Sequence, residues 1–359
     1  MTYGTVNVDS MVTSTGQILG AGNATAFKNR IINGGMVIDQ RNSGASVTPT
    51  ATGYALDRWQ INISQSSKLS VQQNAGSITP PIGYINYLGV TSLSAYTVAV
   101  GDYFHVRHNI EGFNTTDLAW GTANAKTITL SFQVYSSLTG TFGGCLNNNN
   151  FDRSYPFTYS IPVANTWTSI SITITGCTDG TWYTNNSKGI VVSFGVGVGS
   201  SYSGTAGSWS SSTYLGPTGA VSVVGTSGAT LYITGVQLEV GTQATSFDFR
   251  DYGRELDLCR RYFELITGGI GTTAYVTDRV AGSPMWYPKR ATPTLSLASP
   301  AGFTLWGWGT NLQNTKSVST SGTTTIGGTT YFTDFPTAWP NNVSPYYYYG
   351  GPLQVNSEL

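Results

Sequence analysis

The chain has 359 residues, of which only 9% are charged, with 17 basic side chains against 17 acidic ones. So little charge gives no electrostatic grip on a polyanion, which excludes nucleic acid and anionic membrane surfaces as expected partners and leaves neutral surfaces or proteins. The length allows two domains with a buried core each. The 44 glycines and 13% aromatics, set among periodic apolar runs, fit an all-β protein with many turns rather than disorder.

Residues 1–35 are small, polar and Gly-rich, and residues 6–12 are their one strand-like run. Little here builds a core, so the segment is expected to order against a partner protein. Residues 36–250 then supply short alternating runs broken by Gly, Asn and Pro. Ile128, Leu130, Phe132 and Val134 share one strand face, with Thr129, Ser131, Gln133 and Tyr135 opposite. Ile170, Ile172 and Ile174 repeat the pattern, as do Val192, Phe194, Val196 and Val198. Without an internal repeat, these strands predict a double-sheet jelly roll. The all-Asn stretch 147–150 and the Gly-rich stretch 195–207 read as loops at the sheet ends, where left-handed backbone comes cheaply and binding residues collect.

Residues 229–266 organise the rest. Leu231 and Ile233 have one strand parity and Val236, Leu238 and Val240 the other, and Gly235 stands where parity switches. A β-bulge at Gly235 returns both sets to the core. Gly241 allows a turn, and Phe247 and Phe249 resume alternation. After Arg250 the period becomes helical. Leu256, Cys259, Tyr262 and Phe263 form an apolar stripe, with Arg254, Glu255, Asp257, Arg260, Arg261 and Glu264 on the other face. A connecting helix is expected over 251–266, its stripe meeting sister chains or capping the jelly roll. Residues 267–359 are expected to form a small C-terminal β-sandwich domain, with strand-like runs near Ala274, in the Pro-bounded stretch 284–297 and around Leu305, a hairpin at Gly327 and Gly328, and a last strand near the end.

Three widely spaced cysteines, Cys145, Cys177 and Cys259, do not make a disulfide framework. No basic-plus-apolar leader and no run of membrane-spanning length is visible, which predicts a soluble, reducing compartment and makes the sequons at Asn114 and Asn342 incidental. His105 and His108 fall on opposite strand faces, which argues against a metal site. The stretch 199–204 lacks nucleophile-elbow spacing. The carboxylates Asp57, Glu111, Asp117, Asp152, Asp179 and Asp248 are scattered, and paired glycosidase carboxylates are not visible among them. The expectation is therefore no enzyme activity, no cofactor and no metal.

Aromatic residues on loops are the stronger signal, because a sugar's flat apolar face stacks on Trp or Tyr while Asn, Gln, Asp or Ser bond its hydroxyls. Two clusters are candidates. One is Trp182, Tyr183, Trp209 and Tyr214. The other is Trp306, Trp308, Trp339, Tyr346, Tyr347, Tyr348 and Tyr349. The same rings would also serve as core or subunit interface.

The segments YITGVQLEVGTQATSFDFR and ELDLCRRYFE resemble the end of the jelly-roll module of many tailed-phage fibre and receptor-binding proteins. So do FKNRIINGGMVIDQRNSGASVT, LDRW at 56–59, IEGFNTTDLAWGTANAKTITLSFQVYSSLTGTF and PMWYPKRATPTLSL. The resemblance covers about residues 27–297. Cys145 departs from it, standing where a small polar residue is expected, and the tail past Pro300 is not covered. It implies a carbohydrate-binding-module-like jelly roll on the virion surface, a homotrimer, an N-terminal docking segment joined to another virion protein, and a distal C-terminal domain. The function it implies is that of a tail fibre attaching to a host surface glycan or protein. The alternatives are a structural head fibre or decoration protein and, third, a glycan-degrading tailspike.

Overall fold

The computed structural model describes residues 10–12, 18–20, 28–267, 270–276, 279–297, 304–307, 310–314, 317–321, 323–333, 347–350 and 352–359. Two compact units emerge, Met1–Tyr252 and Gly253–Leu359. Both are built of antiparallel sheets, apart from one short parallel pair in the first, and the fold is all-β.

In the first unit β1 (Ser10–Val12) and β2 (Ile18–Gly20) pair as a ribbon. The sandwich follows with β3 (Gly53–Leu56), β4 (Trp59–Ile63), β5 (Leu69–Gln73), β6 (Leu88–Ser92), β7 (Tyr103–Glu111), β8 (Ile128–Ser136) and β9 (Gly140–Asn147). It continues with β10 (Ser154–Ile161), β11 (Thr168–Ile174), β12 (Lys188–Val198), the short pair β13 (Ser203–Gly204) and β14 (Gly216–Pro217), and β15 (Thr230–Val240). One sheet has the order β10-β9-β12-β7-β4-β3 and the other β11-β8-β15-β6-β5. This is the predicted double-sheet jelly roll. Its inward faces meet in one core, where Phe132 of the second sheet packs edge-on against Phe194 of the first at 5.0 Å between ring centres. The alternation read in β8 and β11 is observed, and in β12 it holds for Val192 and Phe194, but a bulge between Gly195 and Gly197 turns Val198 to the other face, opposite Tyr103. Val196 and Val198 belong to β12, so the loop expected from residue 195 begins only at Gly199.

The bulge in β15 falls where parity placed it. The register with β8 shifts between Thr234 and Gln237, Gly235 has φ 61°, and Leu231, Ile233, Val236 and Leu238 are all buried. The backbone groups freed there are taken up by residues 28–36, so the end of the segment expected to order against a partner protein bonds within the jelly roll itself. The Asn29 side chain donates to Val236 O at 3.1 Å and accepts from Leu238 N at 3.1 Å, Arg30 N donates to Leu238 O, and Val236 N donates to Gly34 O. A Cβ on Gly34 would lie 2.2 Å from Val236 O, so only glycine fits there. Ile31 and Met36 enter the core, and Asn33 bonds Ile38 and Asp57 through its side chain. Polar side chains here do the work of a strand partner, so no apolar period signals it. Past Gly241 no strand forms. Phe247 and Phe249 instead close on each other and on Tyr84 at 4.8–5.4 Å, which overturns their expected alternation.

The second unit opens with α1 (Tyr252–Arg260), so the helix belongs to it rather than linking two modules. The helix is also shorter than expected. Tyr262 turns back on Cys259 O, and Phe263 starts β16 (Phe263–Ile266). The stripe offered for sister chains is corrected as well. Cys259, Tyr262 and Phe263 are fully buried within the chain, and only Leu256 is half-exposed. Glu255, expected on the wet face, is buried too. Lys289, in the Pro-bounded stretch before the next strand, is buried, donates to Arg260 O at the helix end and pairs with Glu264 at 2.9 Å. Burial lowers its pKa, and Glu264 partly offsets this.

The remaining strands are β17 (Ile270–Val276), β18 (Arg279–Gly282), β19 (Thr294–Leu297), β20 (Thr304–Gly307), β21 (Thr310–Asn314), β22 (Ser317–Ser321), β23 (Thr329–Thr333), β24 (Tyr347–Gly350) and β25 (Leu353–Asn356). They form a three-stranded sheet, β16-β25-β19, and a seven-stranded one, β21-β20-β24-β17-β18-β23-β22. The expected last strand is β25, central in the smaller sheet. The expected hairpin joins β22 and β23, with Thr324 N donating to Gly327 O inside its loop.

Two tests follow from this frame. Gly235→Ala places a Cβ 2.5 Å from the Tyr84 hydroxyl in left-handed backbone, and Gly44→Ala meets nothing within 4 Å at the same backbone hand. By chemical denaturation, Gly44→Ala is expected to cost about 1 kcal/mol and Gly235→Ala about 2–3 kcal/mol. Equal losses would show that the bulge needs only the backbone conformation.

His105 and His108 on β7 are fully buried, and desolvation first, then the nearby Arg107 and Arg58 respectively, hold both well below the usual imidazole range. The unfolded chain binds protons on these imidazoles below about pH 6.5 while the folded chain does not, so stability is full above that pH and falls as pH drops. The expected slope is about 1.4 kcal/mol per pH unit per histidine between about pH 6 and 5. His105→Gln should halve it, and an unchanged slope would remove the assignment.

Candidate functional site

The first unit carries a cleft of about 220 Å³ walled by Trp120, Trp182 and Tyr183, with Thr115, Thr116, Thr122 and Thr184 on its rim and Leu118 and Ile190 among its lining. No charged side chain lines it. Ligand pockets that enclose a whole drug-sized molecule run to roughly 300–1,000 Å³, so this one is of a size for a ring lying partly in solvent.

Residues 112–122 shape one wall. Short 3-10 turns at Gly112–Asn114 and Thr116–Leu118 fold the chain back, and Ala119 and Gly121 take left-handed backbone between them and β8. A Cβ on Gly112 would meet Tyr183 O at 2.3 Å, so the two walls touch backbone to backbone. Gly112 N and Phe113 N donate to Ser187 O and Asn185 O, and Gly121 N to Cys177 O, which fastens this wall to residues 177–187. Arg30 clamps the turn from behind with two bonds to the Asp117 carboxylate, at 2.8 and 2.7 Å, and a third to Asn114 O.

The rings are fixed by their polar ends. Trp120 Nε1 donates to Lys126 O, Trp182 Nε1 to Asp179 O and Trp209 Nε1 to Thr175 O, at 2.8–3.0 Å. The three indoles pack edge-on, with centroids 4.7 Å apart for Trp120 and Trp182, 5.4 Å for Trp120 and Trp209, and 5.5 Å for Trp182 and Trp209. Tyr155 of β10 backs Trp209 at 5.2 Å. Trp120 is buried, and Trp182 and Trp209 are half-buried against the core. With every indole N–H already bonded, what remains for a ligand is ring surface and threonine hydroxyl oxygens.

Of the residues singled out in the sequence, Trp182 and Tyr183 line the cleft and Trp209 supports it from behind. Tyr214 does not join them. Its ring lies over Gly204 and its carbonyl accepts from Asn147 at 2.9 Å. Trp120 went unselected although it stands in the same stretch as Asp117, and its pairing with Trp182 depends on a contact 62 residues apart that no local pattern announces. In the other cluster, Trp306 lies in β20 and Tyr347, Tyr348 and Tyr349 in β24. Trp308, Trp339 and Tyr346 lie outside the described residues.

Nearby charges are engaged. Arg153 holds Asp179 with two bonds at 2.8 and 2.9 Å and lowers its carboxyl pKa. Burial raises the Cys177 thiol to about 11, and all three cysteines are buried free thiols. Asp57 accepts from Gln40 twice, Asp152 bonds Asn148, and Asp248 accepts from Asn29 N. His108 faces inward, with its ring edge-on to Trp59 at 5.1 Å and its Nε2 beside the Ile32 backbone, whereas His105 lies on the opposite face of the sheet.

No protein-family model and no curated protein matches the sequence. Among solved structures, the chain is similar to the enzymatically active domain of tailspike protein 4 of bacteriophage CBA120, at 12% identity and TM-score 0.32, over 62% of this chain and 23% of that one. It is also similar to a family 4 carbohydrate-binding module, at 16% identity and TM-score 0.28, over 59% of this chain and 99% of that one. A family 11 carbohydrate-binding module of a cellulosomal cellulase of Clostridium thermocellum gives 13% and 0.26, over 55% and 99%. The chain thus spans about a quarter of the tailspike domain's length, and the likenesses are of the β-sandwich fold alone.

Proposed function

We propose that this protein is a carbohydrate-binding attachment protein of a phage virion, and that its jelly roll holds a neutral surface glycan in the Trp182 and Tyr183 cleft. The observation that carries the glycan part is the uncharged cleft itself, with ring surface presented on a stack of three indoles whose N–H groups are already bonded. Such a wall is pre-organised, so little side-chain freedom is lost when a sugar ring lies against it. The absence of lining charge suits a neutral hydroxylated ligand rather than an ion.

The virion part is supported by the resemblance of residues 27–297 to tailed-phage fibre proteins. In this reading the chain binds without cleaving. The carboxylates Asp57, Asp117, Asp152, Asp179 and Asp248 already bond neighbouring residues, which supports a structural use for them.

Binding of the full chain to an array of bacterial surface glycans, followed by titration calorimetry on the best neutral ligand, tests the proposal. Trp182→Ala is expected to weaken binding about tenfold or more, which corresponds to about 1.4 kcal/mol, and Trp182→Phe to retain most of it. The dissociation constant should change little with added salt, since no charge is involved. Capture of no neutral glycan, or equal affinity for Trp182→Ala, would remove the site. Loss with Trp306→Ala or Trp339→Ala instead would move it to the second unit.

A further inference from the structure

The outer face of the six-stranded sheet is unlike a solvated sheet face. Strand register places Tyr54, Gln60, Arg107, Ser193, Cys145 and Pro156 in one row across it, from β3 to β10. His105 lies two residues along β7 from Arg107, on the same face, and Asn147 two residues along β9 from Cys145. At the centre of this face His105, Asn147 and Ser193 are fully buried and Arg107 is 7% exposed.

Each of these four side chains has a buried polar atom without a hydrogen-bond partner: His105 Nδ1, Arg107 Nε, Asn147 Oδ1 and Ser193 Oγ. Native interiors leave few such atoms, and here Ser193 is paired directly with Arg107 and His105 stands two residues along the same strand, so three of the four gather around the guanidinium. Arg107 has no carboxylate partner among the described residues. It donates to His105 Nε2 at 2.9 Å, and its guanidinium lies 4.9 Å from the ring centre of Phe151. A buried cation without a counter-ion is costly in an empty fold, and that cost is relieved when an anion binds.

The rest of the site fits a sugar. Tyr54 of β3, Gln60 and Asn62 of β4 and Tyr103 at the start of β7 are only half-buried, so amides and phenol rings are the solvent-facing part of this face. On the opposite side Phe151, half-buried, covers Arg107 from the turn between β9 and β10. Its φ is 57°, left-handed backbone that a bulky aromatic side chain adopts only under strain. In the stretch 147–150 asparagine would accept that conformation easily, yet the residue that takes it is the phenylalanine over the guanidinium.

We infer that this face, centred on Arg107, is a second binding site, separate from the Trp182 cleft, that takes the carboxylate of an acidic sugar such as a uronate, with Phe151 as its cover. The planar guanidinium matches a carboxylate with two parallel bonds. Ser193 and His105, the neighbours of Arg107 on this face, meet the remaining oxygens, and Phe151 and Tyr54 offer ring surface.

Titration of the full chain with glucuronate, glucose and acetate tests this. Glucuronate is expected to bind at least about tenfold more tightly than glucose or acetate. Arg107→Met should abolish binding while raising the thermal unfolding midpoint, because it replaces a buried unpaired charge by an apolar chain of similar volume. Ser193→Ala, a smaller change, should weaken glucuronate several-fold. Phe151→Gly, which relieves the left-handed strain, should speed dissociation of glucuronate. Glucuronate binding no tighter than glucose would overturn the site, and acetate binding as tightly as glucuronate would overturn its assignment to a sugar. Binding indifferent to both Arg107→Met and Ser193→Ala, or a lowered midpoint for Arg107→Met, would show that Arg107 serves the fold alone.

Discussion

The first unit depends on the way Asn29 fills the break in β15. A strand that must bury residues of both parities needs an extra residue; the one at Gly235 breaks the register with β8 between Thr234 and Gln237, and β6 pairs with β15 only as far as Ile233, so Val236 and Leu238 have no β6 partner. Buried backbone groups left unpaired cost about 1–3 kcal/mol each, so the bulge is tolerable only if something else supplies the bonds. Asn29 meets both with one side chain, and Arg30 and Gly34 add main-chain bonds on either side. The same short segment sends Arg30 to Asp117 under the cleft, sets the Ile32 backbone against His108, and offers Asn33 O to Trp59 Nε1. One stretch of polar residues therefore ties together the bulge, the cleft wall and the aromatic centre of the core.

That arrangement explains what the sequence discloses and what it hides. The parity switch at Gly235 is legible because side-chain period is a local property of a strand. So are β8 and β11, where apolar residues alternate plainly, whereas the bulge after Gly195 breaks the alternation of β12. Residues 28–36 are not legible, since their contribution runs through Asn and Arg side chains bonded to backbone more than 80 residues away, and such bonds leave no periodic trace. Helix α1 was visible by its period, but Phe263 continues that period by chance and is claimed by the sheet, where it pairs with Asn356 at the far end of the chain. Three apolar residues that look like an oligomer stripe are thereby covered inside the chain.

The tryptophans divide in the same way. Composition shows that aromatic area is available, but not which rings are bound at their polar ends. Trp120, Trp182 and Trp209 lie on three different loops, and each is locked by a backbone carbonyl, that of Lys126 for Trp120 and those of Asp179 and Thr175, on the connection between β11 and β12, for the other two. Rigidity of the stack thus comes from three separate loops agreeing on one place, which is a property of the sandwich rather than of any motif.

β7 shows most sharply why period alone misreads function. Its sequence alternates Phe104, Val106, His108 and Ile110 with Tyr103, His105, Arg107 and Asn109, and a polar alternate face is ordinarily the wet one. Here the second face is buried as deeply as the first, because chain that leaves the sheet at β9 and β12 returns over it: Phe151 covers Arg107, Tyr202 meets Tyr103 edge-on at 5.5 Å, and Tyr214 O takes a bond from Asn147. Burying the face removes water from its polar groups without giving all of them partners, so the sheet keeps unmet bonding capacity in a place of low dielectric, where each bond is worth more than at the surface. In a chain with so few charges, placing a guanidinium there rather than at the rim is a structural expense that packing does not repay. The fold can carry it because the core on the other side of the same strands, fastened by Asn29 at the bulge and by Phe132 against Phe194, does not depend on that face for its stability.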